Sequence, residues 1–593
     1  MSERKYWEIT ENDVYVQVFR EMLEELDLTF FKKDIIDSYK SLSLQGQYVV
    51  TRLYYRSAKW LRQSDLEKYL PPDELKGVLE ELVQKNWLLS EPDLDIYLEV
   101  ATVKELQAVA VEFNIKKAMS RPQLVAALEE LCKRKTFFGP PLRPKVTLKL
   151  KGAVSSLYLL NEGMSSTLAL VSFMFLVPAQ ITLDVVVRTN MKMIKFRQYD
   201  YLTQKEAPIF ESKHDFIDYY EARVLCDPLE ESASSCTQEL IEVVRLKIKS
   251  TSPRNGPFSA AYVYGRALAL VSECLGKAGK FQEEYQMIQE YFEQEIHKSR
   301  KSSLIIRKLN LELRFFKELQ DTSWLLKAIN TYYDASGIVN SIYAFDLSRK
   351  AVRMSREIEK VGLSVPPLEL SKFEQLPTNL LEAEQLELLP GQGVRTRWGQ
   401  EGASNTVEET ALIHYADYGW AGGHYEGGMI STLFWLAFHD IIFSDKTQFR
   451  CRFHNRPLKL QSVLDTNKTK IEKRVTDNLK ETIINSFKTL YELQPNVGGI
   501  NWNIPLEGIE AVIDGLGNAL GAILLRLAES YYTYNSGFPD LTLWKTEEPE
   551  CKFVEVKSTN DTISDNQYVW IQFLSGLGIP VEICKIRGKR KRE

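Results

Sequence analysis

Residues 537–544 read GFPDLTLW and residues 551–558 read CKFVEVKS, and these two runs decide the C-terminal fold. Gly537 and Pro539 punctuate a turn ahead of Asp540, after which LTLW continues as a strand. CKFVEVKS is a run of β-formers. With a period of two, Phe553, Glu555 and Lys557 point to one face and Val554 and Val556 to the other. The charged KTEEPE stretch between the runs closes a hairpin. Ser564 with Gln567 three residues later signals a helix start, and PVEICKI (580–586) returns as a last strand. The predicted order is β-β-α-β.

That order brings acids and a base together. Asp540 and Glu555, on adjoining strands, converge on a hard divalent cation such as Mg²⁺ or Mn²⁺, which prefers oxygen ligands. Lys557, two residues after Glu555, shares its face and can orient or help deprotonate a water and offset developing negative charge. Val556 faces away by side chain, but its backbone carbonyl is available as a further oxygen ligand. Asp540 followed by Glu555-x-Lys557 in this context resembles the PD-(D/E)xK nuclease pattern. A salt-bridged strand face is the plainer alternative for Glu555 and Lys557; placement on two neighbouring strands beside a capped helix favours the nuclease pattern.

Upstream, residues 6 to about 92 read as helical, with Val14, Val18, Met22 and Leu26 at helical spacing. Arg52, Arg56 and Lys59 stand at i, i+4 and i+7, predicting one basic helix face, with Leu53, Trp60 and Leu61 elsewhere on the wheel. Ser64, with Glu67 at the capping-box position, predicts a second short helix, and DELKGVLEELVQKNWLL a third. This is the outline of a winged-helix-like unit. The next stretch, VATVKELQAVAVEFNIKKAMSRPQLVAALEELCKRK, predicts two short helices and resembles a SAP domain, a module that binds DNA backbone. Lys133, Arg134, Lys135, Arg143, Lys145, Lys149 and Lys151 follow with no acid among them, the charge that phosphate neutralisation requires. A solvated linker around Pro140, Pro141 and Pro144 explains the same run.

From about 210 to 395 the chain predicts paired antiparallel helices similar to tetratricopeptide-type repeats, most clearly in AYVYGRALALVSECLGKAGKFQEEYQMIQEYFEQ. Arg300, Arg307 and Arg314 recur every seven residues, joined by Lys301 and Lys308; Arg349, Arg353 and Arg356 form a second stripe.

SGFPDLTLW, FVEVKSTND and SDNQYVW are similar to the VRR-NUC form of the nuclease fold, as found in the Fanconi-associated nuclease family. Members of that family join a winged-helix-like region, a SAP domain, helical repeats and a C-terminal VRR-NUC domain, the order read here. The resemblance implies a multidomain α plus α/β protein. Its regions are a winged-helix-like region at 1–95, a SAP domain and basic linker at 96–152, a connecting region at 153–209, TPR-like repeats at 210–400 and a VRR-NUC domain at 401–593. It implies metal ligands at Asp540 and Glu555, a catalytic Lys557, a supporting Gln567 and one or two Mg²⁺ or Mn²⁺ ions. It adds Glu426, in HYADYGWAGGHYEGGMISTLFWLAFHDIIF, as an upstream metal ligand at the start of an apolar helix. For Gln567 a capping role and an active-site role both stand. His414, His424, His439 and His454 lie near Glu426 in sequence, but their spacing fits no familiar zinc site.

The resemblance further implies cleavage of branched DNA such as 5′ flaps, as endonuclease and 5′-to-3′ exonuclease, in interstrand crosslink repair. The DNA-binding candidates are Arg52, Arg56, Lys59, Lys133, Arg134 and Lys135, with Arg349, Arg353 and Arg356 for a 5′-phosphate pocket. A non-catalytic junction-binding scaffold is the alternative; the intact Asp, Glu and Lys set speaks against it. No cysteine precedes Cys132, so the ubiquitin-binding zinc finger of animal members is not expected. A homodimer on DNA stays open, and the compartment is nuclear in a eukaryote or the nucleoid in a bacterium.

Composition agrees with a large folded chain. Its 593 residues are 44% hydrophobic and 26% charged, ordinary values that exclude a disordered tail. Leu168 to Val177 is too short to span a bilayer, and MSERKYWEIT has no secretory h-region. Seven scattered cysteines build neither a disulfide framework nor a cysteine zinc site, which predicts a reducing compartment. The net charge of −5 is an average over basic stripes and acids elsewhere, and does not argue against nucleic acid.

Overall fold

The computed structural model describes residues 9–26, 28–56, 58–116, 118–133, 142–179, 181–196, 209–231, 237–251, 258–293, 301–336, 339, 341–369, 376–386, 397–400, 403–444, 453–545, 547–559 and 561–588. The chain divides into two compact units, Met1–Ile194 and Lys195–Glu593.

In the first unit, helix Val14–Glu25 starts where Asp13 accepts from Tyr15 N–H at 2.9 Å, and it buries Val16, Val18, Phe19, Met22 and Leu23. Helix Leu44–Tyr54 starts at Ser43 and stops at Tyr54, before Arg56 and Lys59, so the basic stripe is not one helix face. The last carbonyls are closed by Tyr55 and Arg56 N–H groups. The chain then turns, because Leu61 must reach its partner Tyr158 in a sheet. The next helix is Gln63–Leu66, with Arg62 N–H donating to Asp65 at 3.1 Å, so Ser64 lies within the helix and is not its cap. Helix Pro72–Gln84 follows.

The three strands β1 (Leu61–Arg62), β2 (Leu88–Leu89) and β3 (Leu157–Leu160) form an antiparallel sheet ordered β1-β3-β2. The winged-helix-like outline is therefore closed by a strand beyond residue 95. The two-helix module, Val103–Glu112 and Arg121–Lys133, falls between β2 and β3. Thr102 and Ser120 open its helices, with Glu105 and Gln123 as their partners three residues on. The basic stretch after it is no linker from Leu142 onward: Leu142–Val154 is a helix that buries Val146, Leu150 and Val154 against the module. Lys149 pairs with Glu112 at 2.5 Å and Lys151 with Glu91 at 2.8 Å, so part of its charge is neutralised internally. Arg62 grips Glu105 with two hydrogen bonds of 2.6 and 2.7 Å, holding the Glu105 carboxyl down to about 2.

The second unit begins with helices Lys213–Glu231, Gln238–Ser250, Ala260–Lys277, Phe281–Glu293, Lys301–Leu319, Thr322–Ser336 and Ser341–Val361. The first arginine stripe is not a free face. Arg307 donates twice to the fully buried Glu284, at 2.6 and 2.7 Å, and Ser272 donates to the same carboxylate. Arg314 pairs with Glu318 and lies over the Phe281 ring; Arg300 lies outside the described residues.

A seven-stranded sheet follows, made of β4 (Thr378–Leu386), β5 (Arg397–Gln400), β6 (Ala403–Asn405), β7 (Ala421–His424), β8 (Leu541–Trp544), β9 (Cys551–Lys557) and β10 (Val581–Gly588). The order is β6-β5-β4-β10-β9-β8-β7, with β10 parallel to both neighbours and the remaining pairs antiparallel. Two of these strands, β4 and β5, precede residue 401. One sheet face buries Leu541, Leu543, Val554, Val556, Cys584 and Ile586. The other packs Phe553, Val581 and Ile583 on Trp570, Phe538 and the helix Gly428–Ile442. That helix is apolar around most of its circumference because core surrounds it, with Asp440 near its end left exposed; truncating fully buried Phe434 or Phe438 to Ala costs ~3–5 kcal/mol. Among the described residues, no single helix is long and apolar enough to cross a membrane.

Candidate active site

The β8–β9 register pairs Leu541 with Val554. Extended by one residue, it sets Asp540 across from Glu555 on the same face. Lys557 shares that face, two residues on. Asp540 is fixed by its Oδ2, which accepts from Val556 N–H at 2.8 Å. Its backbone carbonyl accepts from both Tyr425 and Glu426 N–H, at 3.0 and 3.1 Å. The strand β9 thus supplies Glu555, Lys557 and the clamp on Asp540.

Glu555 is fully buried. Its Oε1 receives Lys557 Nζ at 2.6 Å and Gln567 Nε2 at 2.5 Å. Its Oε2, equally buried, has no hydrogen-bond partner. Burial first, and then the neighbouring charge of Asp540, push the Glu555 carboxyl up to about 7, against the pull of Lys557. Burial likewise raises Asp540, opposed by Val556 N–H, Lys557 and His424. Two carboxylates crowded in a buried place, one with an orphaned oxygen, are short of positive charge. An all-oxygen donor set of that kind fits a hard divalent cation.

Gln567 fills both predicted roles with one amide. Its Oε1 accepts from Ser564 N–H at 3.0 Å, completing the capping box of helix Asp565–Gly576, and its Nε2 donates to Glu555. Gly537 is required at its turn: its φ is +81°, and a Cβ there would come within 2.5 Å of Asn566.

Glu426 comes alongside by backbone but not by carboxylate. It precedes the helix Gly428–Ile442, in a left-handed conformation with φ +46°. Its side chain is largely exposed and lies 3.2 Å from His424 Nε2. Among the described residues no three His, Cys, Asp or Glu side chains surround one point, and Glu426 is the acid turned out of the group. The other histidines gather nowhere near it as ligands: His414 lies against Tyr415 and Tyr418, and His439 is buried beside Phe443. A broad groove of about 880 Å³ lined by Asp440, Lys470, Lys473, Arg474 and Asn485 includes none of the carboxylates named above.

The basic candidates separate. Although Arg56 and Lys59 leave the helix, Arg52, Arg56 and Lys68 converge on Tyr69, at 5.0, 5.7 and 5.2 Å from its ring centre; Arg52 also lies 4.2 Å from the Tyr15 ring. Burial, then the charges of Arg56, Arg52 and Lys59, lower Lys68, so the cations do share one patch. Lys68 went unseen in the sequence because it sits outside the stripe. Lys133 is exposed at a helix end; Arg134 and Lys135 lie outside the described residues. Arg349 is engaged with Asp346 and Asp565, while Arg353 and Arg356 are exposed and without an ion pair among the described residues.

Residues 477–588 match the family model of the VRR-NUC domain. Three curated relatives align with almost the whole chain. The Fanconi-associated nuclease 1 homolog of Oryza sativa is 25% identical over 95% of the chain and 60% of its own length. The Fanconi-associated nuclease 1 of Danio rerio is 26% identical over 97% and 65%, and the homolog of Schizosaccharomyces pombe 25% identical over 98% and 92%. The chain is similar in sequence to the Fanconi-associated nucleases over nearly its whole length. It spans under two thirds of the rice and zebrafish Fanconi-associated nucleases. A crystal structure of paFAN1 bound to 5′-flap DNA with a 2-nt flap and a gap superposes with a TM-score of 0.72 at 18% identity, covering 99% of this chain and 100% of that one. The complex with a 1-nt flap gives 0.67 at 19% identity. These two share the fold from end to end.

Proposed function

We propose that the chain is a divalent-metal-dependent, structure-specific DNA nuclease that cuts branched substrates near 5′ flaps and degrades 5′ to 3′, acting in interstrand crosslink repair. One observation carries the reading: a buried carboxylate, Glu555, gripped on one oxygen by Lys557 and Gln567 and left with the other oxygen unpartnered. Asp540 Oδ1, Glu555 Oε2 and the Val556 carbonyl would hold one or two Mg²⁺ or Mn²⁺ ions, with Glu426 as a further ligand after its side chain leaves His424. Such an ion activates water and neutralises phosphate charge.

The chain's own groups do the rest. The clamp of Val556 N–H on Asp540, and of Gln567 on Glu555, sets the two carboxylates before substrate arrives, so neither of these two needs to reorganise at the moment of reaction. Lys557, within 2.6 Å of Glu555, carries an ammonium to the same spot. There it orients the attacking water and offsets the charge that develops on the phosphorus oxygens. The Tyr69-centred cations, Lys133, Arg134 and Lys135, and on the repeat helix Arg353 and Arg356, supply phosphate contacts away from the chemistry.

The test is a labelled 5′ flap in Mn²⁺, wild type beside Asp540→Ala. The wild type should cut and the variant should not. A wild type that binds the flap but cuts no faster than the variant makes the chain a junction-binding scaffold instead.

A further inference from the structure

The helix Ser341–Val361 packs against the helix Asp565–Gly576, whose first turn carries Gln567. Two contacts set the crossing. Phe345 stacks on Tyr568, ring centres 4.3 Å apart and planes 22° from parallel. One turn further, Arg349 donates from Nη2 to Asp565 Oδ1, with its guanidinium 4.9 Å from the Phe345 ring centre. Asp346 draws Lys350 to 2.9 Å and Arg349 to 3.4 Å, so the arginine is aimed from both sides.

We propose that Arg349 is a positioning residue for phosphodiester cleavage: through Asp565 it holds the first turn of the Asp565 helix so that Gln567 Nε2 stays on Glu555 Oε1. The proposal rests on the nuclease reading above. Asp565 is the first residue of that helix and Gln567 the third, so any movement at Asp565 is carried rigidly to the amide. Partly exposed ion pairs contribute little to global stability. This one sits where a shift of well under an ångström would break a 2.5 Å contact to a site carboxylate. The pairing also gives Arg349 a partner other than the DNA backbone, unlike Arg353 and Arg356 on the same helix.

The experiment uses the full chain as Arg349→Ala, Asp565→Asn, their combination, and the exchange Arg349→Asp with Asp565→Arg. Flap binding is followed in Ca²⁺, single-turnover cutting in Mn²⁺, and thermal melting throughout. Each single variant should cut about 10–100-fold more slowly at saturating DNA, with flap affinity, its salt dependence and the melting temperature unchanged. The combination should be no slower than the worse single variant, and the exchange should recover part of the rate. If Arg349→Ala instead weakens flap binding, flattens its salt dependence and regains the wild-type rate at saturation, Arg349 is a DNA contact and the proposal is overturned. It is equally overturned if the two single effects multiply, or if melting falls and the exchange recovers nothing. A wild type that cuts nothing overturns the nuclease reading itself; an active wild type matched by Arg349→Ala overturns only the brace.

Discussion

Gln567 donates from its amide nitrogen to Glu555 at 2.5 Å, a donor that only the neutral amide can supply. Because the same side chain caps its helix through Oε1, the contact to Glu555 and local folding are tied to one residue. Gln567→Glu keeps an acceptor for Ser564 N–H but replaces the donor with a second negative charge beside Glu555. We expect cutting to fall by about 10–100-fold with little change in melting. Gln567→Ala should lose both, adding about 0.5–2 kcal/mol of lost capping. Single-turnover rates and thermal melts of the two variants separate the roles.

The Glu555 carboxyl, pushed up to about 7 by burial and by Asp540, is largely protonated below that pH in the metal-free protein. The sign follows. A folded-state value above the unfolded one, about 4.3, means that the metal-free fold loses stability as pH rises from the unfolded value through 7. A divalent cation needs the ionised form, so its affinity should climb over the same interval and its binding should release a proton. Titration calorimetry with Ca²⁺ in buffers of different ionisation enthalpy checks this. A proton count of zero at pH 6.5 contradicts it.

Glu105 runs the other way. Arg62 holds its carboxyl down to about 2, so its contribution is fully present above about 4.3 and is lost as pH falls toward 2. Glu105→Gln should cost about 1–3 kcal/mol near neutrality, and the gap to wild type should close in acid. Melting curves at pH 7 and pH 3 measure it.

Substituting both Arg56 and Lys68 by Ala should weaken flap binding uniformly across sequences. It should also lower the log–log salt slope by about 0.9 for each phosphate that is no longer neutralised. The same holds for neutralising Lys133, Arg134 and Lys135. An unchanged slope removes that patch from the DNA footprint, whatever happens to cutting.

The part of the site built by local rules was legible from the sequence. Period-two alternation put Glu555 and Lys557 on one strand face, and the Ser564/Gln567 spacing started a helix, as the structure shows. What depended on long-range partners was not. Nothing local in Thr378–Leu386 announces a parallel partner in β10. The Arg307 spacing marked a basic stripe but not its buried partner, Glu284, which lies on another helix. Arg52, Arg56 and Lys59 obeyed helical arithmetic until Leu61 had to meet Tyr158 in the sheet. Glu426 was located by family likeness, but its outward side chain follows from a left-handed backbone and from His424, neither of which spacing encodes.

The strands β2 and β3 face each other antiparallel, Leu89 opposite Leu159 and Leu88 opposite Leu160, yet the two-helix module and its basic helix lie between them. In engineering terms that module is a cassette spliced into a hairpin, with entry and exit side by side. Residues 91–155 should therefore be replaceable by Asn-Gly, which with Ser156 and Leu157 makes a four-residue loop that keeps Leu89 opposite Leu159, with Arg62, relieved of Glu105, turned to solvent. The shortened protein would report whether the cassette contributes to flap binding without touching Asp540 or Glu555.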